Sequence, residues 1–489
     1  MSEKYDRVLV RGVNWIGDAV MTMPALRALK KALPESKISL LVKPWVASLF
    51  EKDPHIDEII LYGEEYTGLR GRRRLLKALR SKRFSLAILL QNAFNAALTA
   101  FLAGIPERAG YARDMRGFLL TMPVPFNGQD RKIHHIEYYL NLLRQAGIRA
   151  DYSEPWLYLD ISERLHAREA FSDMRRPLLG LNPGATYGSA KRWQAERFAA
   201  VALRFIEEVD GSAVVFGGKS EEGIAAEIVS LCDRKGRIVS LAGRTTLREL
   251  AASVSECDVF LTNDSGPMHV CYAVRTPLVA VFGSTEPSLS GPPTKGNIVL
   301  KKDIPCSPCF DRECLEGSLK CMDAIDVPEV FEAIKGLVPQ GRAVFFDRDG
   351  TLCRDADFLN KWDDFEVFPE IGELRRLKEK GFKLIGVSNQ SGISRGLVEE
   401  NFAKKVNDVF IEKYGFDGFY YCPHHPDDYC SCRKPEPGMA LTARIKHGID
   451  LKRSYVVGDK EADLLLAKAV GAKAVLVLTG QAKGSENAD

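Results

Sequence analysis

Short apolar runs, each leaving into a turn of Gly, Asp, Asn or Ser and then into a helical pattern, recur along this chain and constrain its fold more than any other feature. Strand-like Arg7-Val8-Leu9-Val10 is followed by a loop, a helical pattern from Ala25 to Leu33, the strand Ile38-Ser39-Leu40-Leu41-Val42 and a last helix near Ile136 to Gln145. A second series runs through strand Leu178 to Asn182, helix Ala195 to Val209, strand Ala213 to Phe216, helix Leu247 to Glu256, and strands Val259 to Thr262 and Leu278 to Phe282. A third has apolar strands ending at Phe346, Val387 and Gly458. Such alternation predicts parallel sheets with helices on both faces. Sites in open parallel sheets lie at the carboxyl ends of strands, so the turns that follow these runs are where chemistry is expected.

The 489 residues suit about three domains at roughly 150 residues each. A formal net charge of +3 gives no case for nucleic acid, and 45% hydrophobic with 27% charged residues is ordinary for a globular protein. The start, Met1 to Arg7, lacks an apolar signal core, and no run reaches the roughly 18 apolar residues of a membrane span, which predicts a cytoplasmic protein. Eleven cysteines in that compartment read as thiols or metal ligands before disulfides. Neither of the first two series carries G-x-G-x-x-G, which weakens a dehydrogenase reading. The third series is joined by only Val338-Pro339-Gln340-Gly341, a tight connector, and the polar tail from Gly480 to Asp489 is expected to be disordered.

The run Phe345-Phe346-Asp347-Arg348-Asp349-Gly350-Thr351 places two carboxylates, D-x-D, at the end of an apolar strand. One can attack phosphorus and the second can serve the leaving oxygen as acid and later as base. Downstream come Ser388-Asn389-Gln390 after a second strand, the cation Lys434 in Arg433-Lys434-Pro435, and Gly458-Asp459 after a third strand. Just before Lys434, Cys422, His424, Cys430 and Cys432 are spaced C-x-H-x5-C-x-C. Three thiols and an imidazole would close a tetrahedral Zn2+ site with no open position, a structural site fixing the loop that delivers Lys434, with His425 outside it.

Asp347-x-Asp349, Ser388, Lys434 and Gly458-Asp459, in this order over about residues 342–480, resemble the haloacid-dehalogenase (HAD) phosphatases. The resemblance implies that Asp347 is the nucleophile and Asp349 the general acid/base. Mg2+ would be held by Asp347, the Asp349 carbonyl and Asp459, with Asp463 in support, and Ser388 and Lys434 would bind the phosphoryl group. Within that family the zinc loop and Asn389 to Gly396 look like the D-glycero-D-manno-heptose 1,7-bisphosphate phosphatases, which would turn Asn389, Gln390, Arg395 and Arg433 toward the sugar and its distal phosphate. Histidinol-phosphate phosphatases carry a similar compact loop and supply the alternative substrate.

Three loops carry the chemistry of the first two series. Arg11 to Asp18 brings a carboxylate near a helix start, where a helix N-cap is the competing reading of Asp18. Asn182 to Trp193 leaves its strand with hydroxyls, glycines and Lys191, a composition suited to a diphosphate. Thr262-Asn263-Asp264-Ser265-Gly266-Pro267-Met268-His269 opens a helix whose free amides could bind an anion. Together, over about residues 5–337, they resemble the ADP-heptose:lipopolysaccharide heptosyltransferases of glycosyltransferase family 9, with Asn14 to Asp18 and the Cys306 cluster pointing to the heptosyltransferase II branch. That implies a GT-B fold of two Rossmann-like domains, residues 1–170 binding the acceptor and 171–337 the nucleotide sugar, followed by a HAD-like Rossmannoid domain, 342–480, and a flexible tail, 481–489.

In this family reading Asp18 is the general base of an inverting displacement. Thr186, Lys191, Ser265 and Gly266 hold the diphosphate, and Asp264 and His269 contact the heptose. No D-x-D precedes residue 342, so a metal-clamped diphosphate is not indicated there. The competing view makes this half a non-catalytic sugar-nucleotide binding module. Cys306, Cys309, Cys314 and Cys321 could chelate a metal or be packing thiols. Eight Lys or Arg between Arg70 and Arg83 form a solvated basic helix or a contact with acceptor phosphates or the inner leaflet of the inner membrane. The whole reading is a bifunctional enzyme that takes ADP-heptose and a lipopolysaccharide inner-core acceptor at one site and heptose 1,7-bisphosphate at the other.

Overall fold

The computed structural model describes residues 5–293 and 295–480; of the tail expected to be disordered, residues 481–489 lie outside them. The described chain forms two compact units, one from residues 5–160 with 170–336, the other from 161–169 with 337–480.

The first unit holds two six-stranded sheets. Strands β1 (Arg7–Arg11), β2 (Lys37–Val42), β3 (Glu58–Leu61), β4 (Leu86–Leu89), β5 (Glu107–Tyr111) and β6 (Met122–Val124) lie in the order β3-β2-β1-β4-β5-β6. Strands β7 (Leu178–Asn182), β8 (Ser212–Val215), β9 (Ile238–Ser240), β10 (Val259–Asn263), β11 (Leu278–Phe282) and β12 (Asn297–Lys301) lie in the order β12-β11-β10-β7-β8-β9. The second unit has β13 (Arg342–Phe346), β14 (Phe382–Asn389), β15 (Gly418–Cys422), β16 (Tyr455–Gly458) and β17 (Lys473–Leu476), ordered β15-β14-β13-β16-β17. Adjacent strands in all three sheets are parallel.

Each sheet winds outward from its first strand, returns, and winds the other way. The reversal falls between β1 and β4, between β7 and β10, and between β13 and β16. At such a switch point the two connections leave to opposite sides and open a crevice at the strand ends. The Asp18 loop follows β1, the Lys191 and Asp264 loops follow β7 and β10, and Asp347 and Asp459 follow β13 and β16.

Burial on both faces explains why the strands could be read as apolar runs: every residue of β7, β10 and β11 is buried. Local chemistry sets several helix starts. Thr246 accepts the Glu249 N–H at 3.2 Å and the Glu249 carboxylate accepts the Thr246 N–H at 2.7 Å, a capping box that opens helix Leu247–Ser255.

Two features depart from the sequence reading. The first helix runs Ile16–Ala32 rather than from Ala25, with Pro24 inside it. Its residues 19–26 are buried without interruption, so no polar stripe marks its period. Secondly, helix Ile161–Ala170, inside the expected first domain, packs into the C-terminal unit. There the Arg168 guanidinium donates to Lys468 O at 2.9 Å and Ala469 O at 3.3 Å, closing the carboxyl end of helix Glu461–Val470.

Candidate active sites

In the C-terminal unit, the Asp347 N–H donates to Val457 O at 2.9 Å, so its carboxylate emerges at the switch point between β13 and β16. Asp347 Oδ1 lies 2.7 Å from Lys434 Nζ, which also meets Asp463 Oδ1 at 2.6 Å and donates to Val387 O at 2.9 Å. Burial works to strip Lys434 of its proton, but Asp347 and Asp463 outweigh it and its pKa is raised. Burial, helped by Asp347 and opposed by Lys434, raises that of Asp463. Asn389 locks the backbone of the lysine: its Oδ1 accepts the Lys434 N–H at 3.0 Å and its Nδ2 donates to Lys434 O at 3.2 Å.

The Asp349 carboxylate turns elsewhere. Arg348 spans it, Nε to Oδ1 at 3.0 Å and Nη2 to Oδ2 at 3.1 Å, and Arg348 is itself buried and held by Asn407 Oδ1 at 3.1 Å. Burial would raise the Asp349 pKa, yet Arg348 and then Gln390 overcome it and hold the group below its ordinary value. Gln390, expected to face the sugar, is buried and spends its amide on the site's own groups, donating to Asp349 Oδ2 at 2.6 Å and Ser388 Oγ at 2.7 Å. Arg395 is exposed, its guanidinium 5.7 Å from the centre of the Phe358 ring. Arg433 is half-buried and keeps Nη1 without a hydrogen-bond partner. A cleft of about 40 Å³ opens among Asp347, Asp349, Ser388, Asn389, Lys434 and Asp463, with Lys460 on its wall. The sequence reading missed Lys460, although it directly follows the Gly458-Asp459 motif.

Two sets of side chains could hold metal. Asp347, Asp459 and Asp463, all buried, bring carboxylate oxygens within 4.8 Å of one another. Hard oxygen donors in surplus over the two nearby ammonium groups, Lys434 and Lys460, fit a divalent cation such as Mg2+. Only the backbone carbonyl of Asp349 is left for that role, since its side chain is committed to Arg348 and Gln390. Gly350 packs over Asp459 at φ +89°, where an added Cβ would lie 2.5 Å from Oδ2, so this approach requires glycine. In the second set, Cys422 Sγ lies 3.5 Å from His424 Nδ1 and 3.3 Å from Cys430 Sγ, and Cys432 Sγ lies 3.2 Å from His424 Nδ1 and 3.4 Å from Cys430 Sγ. Four soft or borderline donors mutually in contact fit tetrahedral zinc, whose sulfur ligands stand about 3.8 Å apart for bonds of about 2.3 Å. His425 stays outside, its Nδ1 accepting the Asp427 N–H at 3.3 Å.

In the first unit, Asp18 is the third residue of its helix, and the N-cap is Trp15, whose side chain makes no capping bond. The cap reading of Asp18 is therefore corrected, and its carboxylate is about one-third exposed. Gly17 sits so close over His269 that an added Cβ would lie 2.7 Å from its ring, and Gly266 similarly faces Ile16, so the first turns of helices Ile16–Ala32 and Gly266–Ala273 meet. Burial pushes His269 down to about 4 against Asp264 and Asp18, so the imidazole is neutral near pH 7. Its Nδ1 is 3.1 Å from the Tyr272 hydroxyl.

The second sheet's loops are tied to each other. Lys191 Nζ lies 2.5 Å from Asp264 Oδ2, which also accepts the Thr285 hydroxyl at 2.6 Å. Asn182 Nδ2 donates to Ser265 Oγ at 3.0 Å, and Asn263 Nδ2 to Pro183 O at 2.7 Å. Thr186 is exposed, and the Lys191 ammonium also lies 4.7 Å from the Tyr187 ring centre. Lys191, Asp264, Ser265, Gly266 and His269 are thus brought together; Thr285 is an addition for which the sequence held no motif. Cys306, Cys309, Cys314 and Cys321 line one cavity of about 200 Å³, but among the described residues they are not one of the donor groups close enough to share an ion.

Comparison with known proteins bears on both units. The profile of glycosyltransferase family 9 (heptosyltransferase) matches residues 72–320, and the HAD-hydrolase-like profile matches residues 431–489. Lipopolysaccharide heptosyltransferase 2 of Escherichia coli is 30% identical over 349 residues, 69% of this chain and 100% of that protein. The solved E. coli ADP-heptose lipopolysaccharide heptosyltransferase II is similar with a TM-score of 0.60 at 29% identity, over 68% of this chain and 98% of that one. D-glycero-beta-D-manno-heptose-1,7-bisphosphate 7-phosphatase of Haemophilus ducreyi is 43% identical over 165 residues, 30% of this chain and 91% of that protein. These likenesses do not favour either alternative, the histidinol-phosphate phosphatase or the non-catalytic module.

Proposed function

This chain belongs to glycosyltransferase family 9, the heptosyltransferases, and its C-terminal region to the HAD-type heptose-bisphosphate phosphatases, and on that premise we propose that one polypeptide carries out two reactions of lipopolysaccharide inner-core heptose assembly. The phosphatase removes the C7 phosphate of D-glycero-D-manno-heptose 1,7-bisphosphate. The transferase moves heptose from ADP-L-glycero-D-manno-heptose to the inner-core acceptor with inversion. The observation that carries the reading is the convergence, at each switch point, of a carboxylate with a cation or helix start able to meet phosphate oxygens.

At the phosphatase site Asp347 attacks phosphorus and forms an aspartyl-phosphate, while Lys434 and Ser388 hold the phosphoryl oxygens. Asp349 must leave Arg348 and Gln390 and take up a proton before it gives one to the leaving C7 oxygen, and it then takes one from the water that opens the aspartyl-phosphate. Asp347, the Asp349 carbonyl and Asp459, with Asp463 beside them, would hold Mg2+, which supplies charge neutralisation at the transferring group. Asn389, Arg395 and Arg433 are the candidates for sugar and distal-phosphate contact. At the transfer site Asp18 takes the acceptor proton, Thr186, Lys191, Ser265 and Gly266 hold the diphosphate, and Asp264 and His269 face the heptose. The test is phosphate release with Mg2+ from heptose 1,7-bisphosphate against histidinol phosphate, together with ADP release from ADP-heptose and acceptor. Preference for histidinol phosphate, or absence of acceptor-dependent ADP release, would remove the corresponding half.

Cys422, His424, Cys430 and Cys432 would hold a structural zinc, which would fix the segment leading to Lys434. Cys430→Ser is expected to lower bound zinc below one per chain, lower the melting temperature of the phosphatase and reduce its activity; a variant with no zinc and unaltered melting would rule out the structural role.

No helix among the described residues is long and apolar enough to cross a membrane. Arg70, Arg72, Arg73, Arg74 and Lys77 are exposed on helix Gly68–Ser81, and no acidic residue occurs from Tyr66 to Pro106. That surface supports peripheral contact with anionic lipid on the cytoplasmic face of the inner membrane, at about 1 kcal/mol per cation near the headgroups. Arg72→Glu/Arg73→Glu is expected to release the protein from vesicles containing phosphatidylglycerol in a sedimentation assay at low salt. Equal sedimentation of variant and parent would discard the contact.

A further inference from the structure

The base assigned to the transfer reaction has a neighbour that its loop motif does not contain. His135 opens helix His135–Gln145, and its Nδ1 stands 3.7 Å from Asp18 Oδ1, with both side chains partly exposed. The two backbones that set this approach are pinned independently. On one side, His134 caps the helix: its Nδ1 accepts the Ile136 N–H at 3.2 Å and its Nε2 meets Gly291 O at 3.0 Å, in the connection between β11 and β12. Those partners require a neutral ring protonated at Nε2, and burial lowers its pKa accordingly. On the other side, Gly17 seats the first turn of helix Ile16–Ala32 on the His269 ring. The groups around Asp18 are His134, His135 and the buried Tyr139 on one helix, and His269 and Tyr272 on another, with Asp264 beyond them. Among these described residues His135 is the one that approaches the carboxylate as an ion-pair partner, and its side chain is nearly half exposed.

We propose that His135 is the positioning partner of Asp18: its Nδ1–H donates to Asp18 Oδ1 and holds Oδ2 toward the acceptor hydroxyl. The inference deepens the transferase reading and rests on Asp18 being the base. A separation of 3.7 Å is beyond a hydrogen bond in the free protein, and catalytic hydrogen bonds often tighten only when substrate closes the site. In the step itself, the acceptor O–H proton passes to Asp18 Oδ2 and the freed oxygen pair forms the bond to the anomeric carbon. The anomeric C–O bond to the diphosphate breaks, its electron pair leaving with ADP. His135 exchanges no proton in that balance. It fixes which carboxylate oxygen receives the proton.

The test compares Asp18→Ala, His135→Ala and His135→Asn in the full chain, with ADP-heptose and acceptor. His135→Ala is expected to lower kcat for transfer about tenfold or more with KM for ADP-heptose unchanged. His135→Asn, which can place an amide N–H near the position of Nδ1, is expected to recover much of the loss. Phosphate release by the C-terminal unit and the melting temperature serve as folding controls. Transfer by His135→Ala within about twofold of the parent, or an equal loss in both His135 variants, would overturn the pairing while Asp18→Ala remained inactive. Transfer surviving in Asp18→Ala would instead overturn the assignment of the base, and the pairing with it.

Discussion

Asp347→Asn is expected to reduce phosphate release from heptose 1,7-bisphosphate by about 10⁴-fold or more, while acceptor-dependent ADP release by the same chain stays at the parent level. The substitution is nearly isosteric, and the Asp347 backbone bond to Val457 O does not involve the side chain, so the end of β13 keeps its place. What is lost is the anionic oxygen that attacks phosphorus, together with one of the two carboxylates that keep buried Lys434 protonated. An amide oxygen can still accept from Lys434, and removing one of three crowded carboxylates relieves repulsion, so unfolding of the unit should not account for the loss. Melting temperature and circular dichroism measured beside activity check this. Residual turnover within about tenfold of the parent would mean that water, and not Asp347, attacks phosphorus.

The second large effect concerns the other unit. Asp18→Ala should lower heptose transfer by about 10²- to 10⁴-fold, the span of general-base contributions, and leave phosphate release unchanged. Asp18 makes no N-cap bond, so the variant does not lose the roughly 1 kcal/mol that capping residues contribute. An acidic residue in a first helical turn adds a few tenths of a kcal/mol through the helix dipole, too little to unfold a helix buried as deeply as Ile16–Ala32. KM for ADP-heptose should move little, since Lys191, Asp264 and the amides of helix Gly266–Ala273 lie on the other sheet's loops. Equal loss of sugar-nucleotide binding would make Asp18 a binding residue instead of a base.

The places where sequence was sufficient share a cause. Strands such as β7 and β10 are buried throughout and read as continuous apolar runs, and in a parallel sheet chemistry lies where those runs stop. Asp347, Ser388, Asp459 and Asp264 could therefore be singled out from strand ends and residue type, whereas Lys434 and Lys191 lie farther along their loops and took their roles from the family resemblance. What stayed hidden depends on directions that one-dimensional spacing does not encode. Gln390 looked like a substrate contact because it follows Ser388 and Asn389, yet its side chain turns inward to Asp349. Helix Ile16–Ala32 lost its first nine residues in the reading because burial on all sides leaves no amphipathic stripe. His135 carried no signal at all: it lies 117 positions from Asp18, and only the packing of two helix starts brings them together.

Helix Ile161–Ala170 changes what it means to call this protein a fusion. The chain enters the C-terminal unit twice, once briefly between the two sheets of the transferase and again from Leu337 onward. No single cut can therefore yield two whole enzymes: cleavage near Gln340 leaves the helix bearing Arg168 with the transferase and exposes the carbonyls of Lys468 and Ala469 that it covers. The second unit thus takes nine residues from within the sequence of the first, so neither gene half could be exchanged for a free-standing relative without also supplying, or dispensing with, those nine residues.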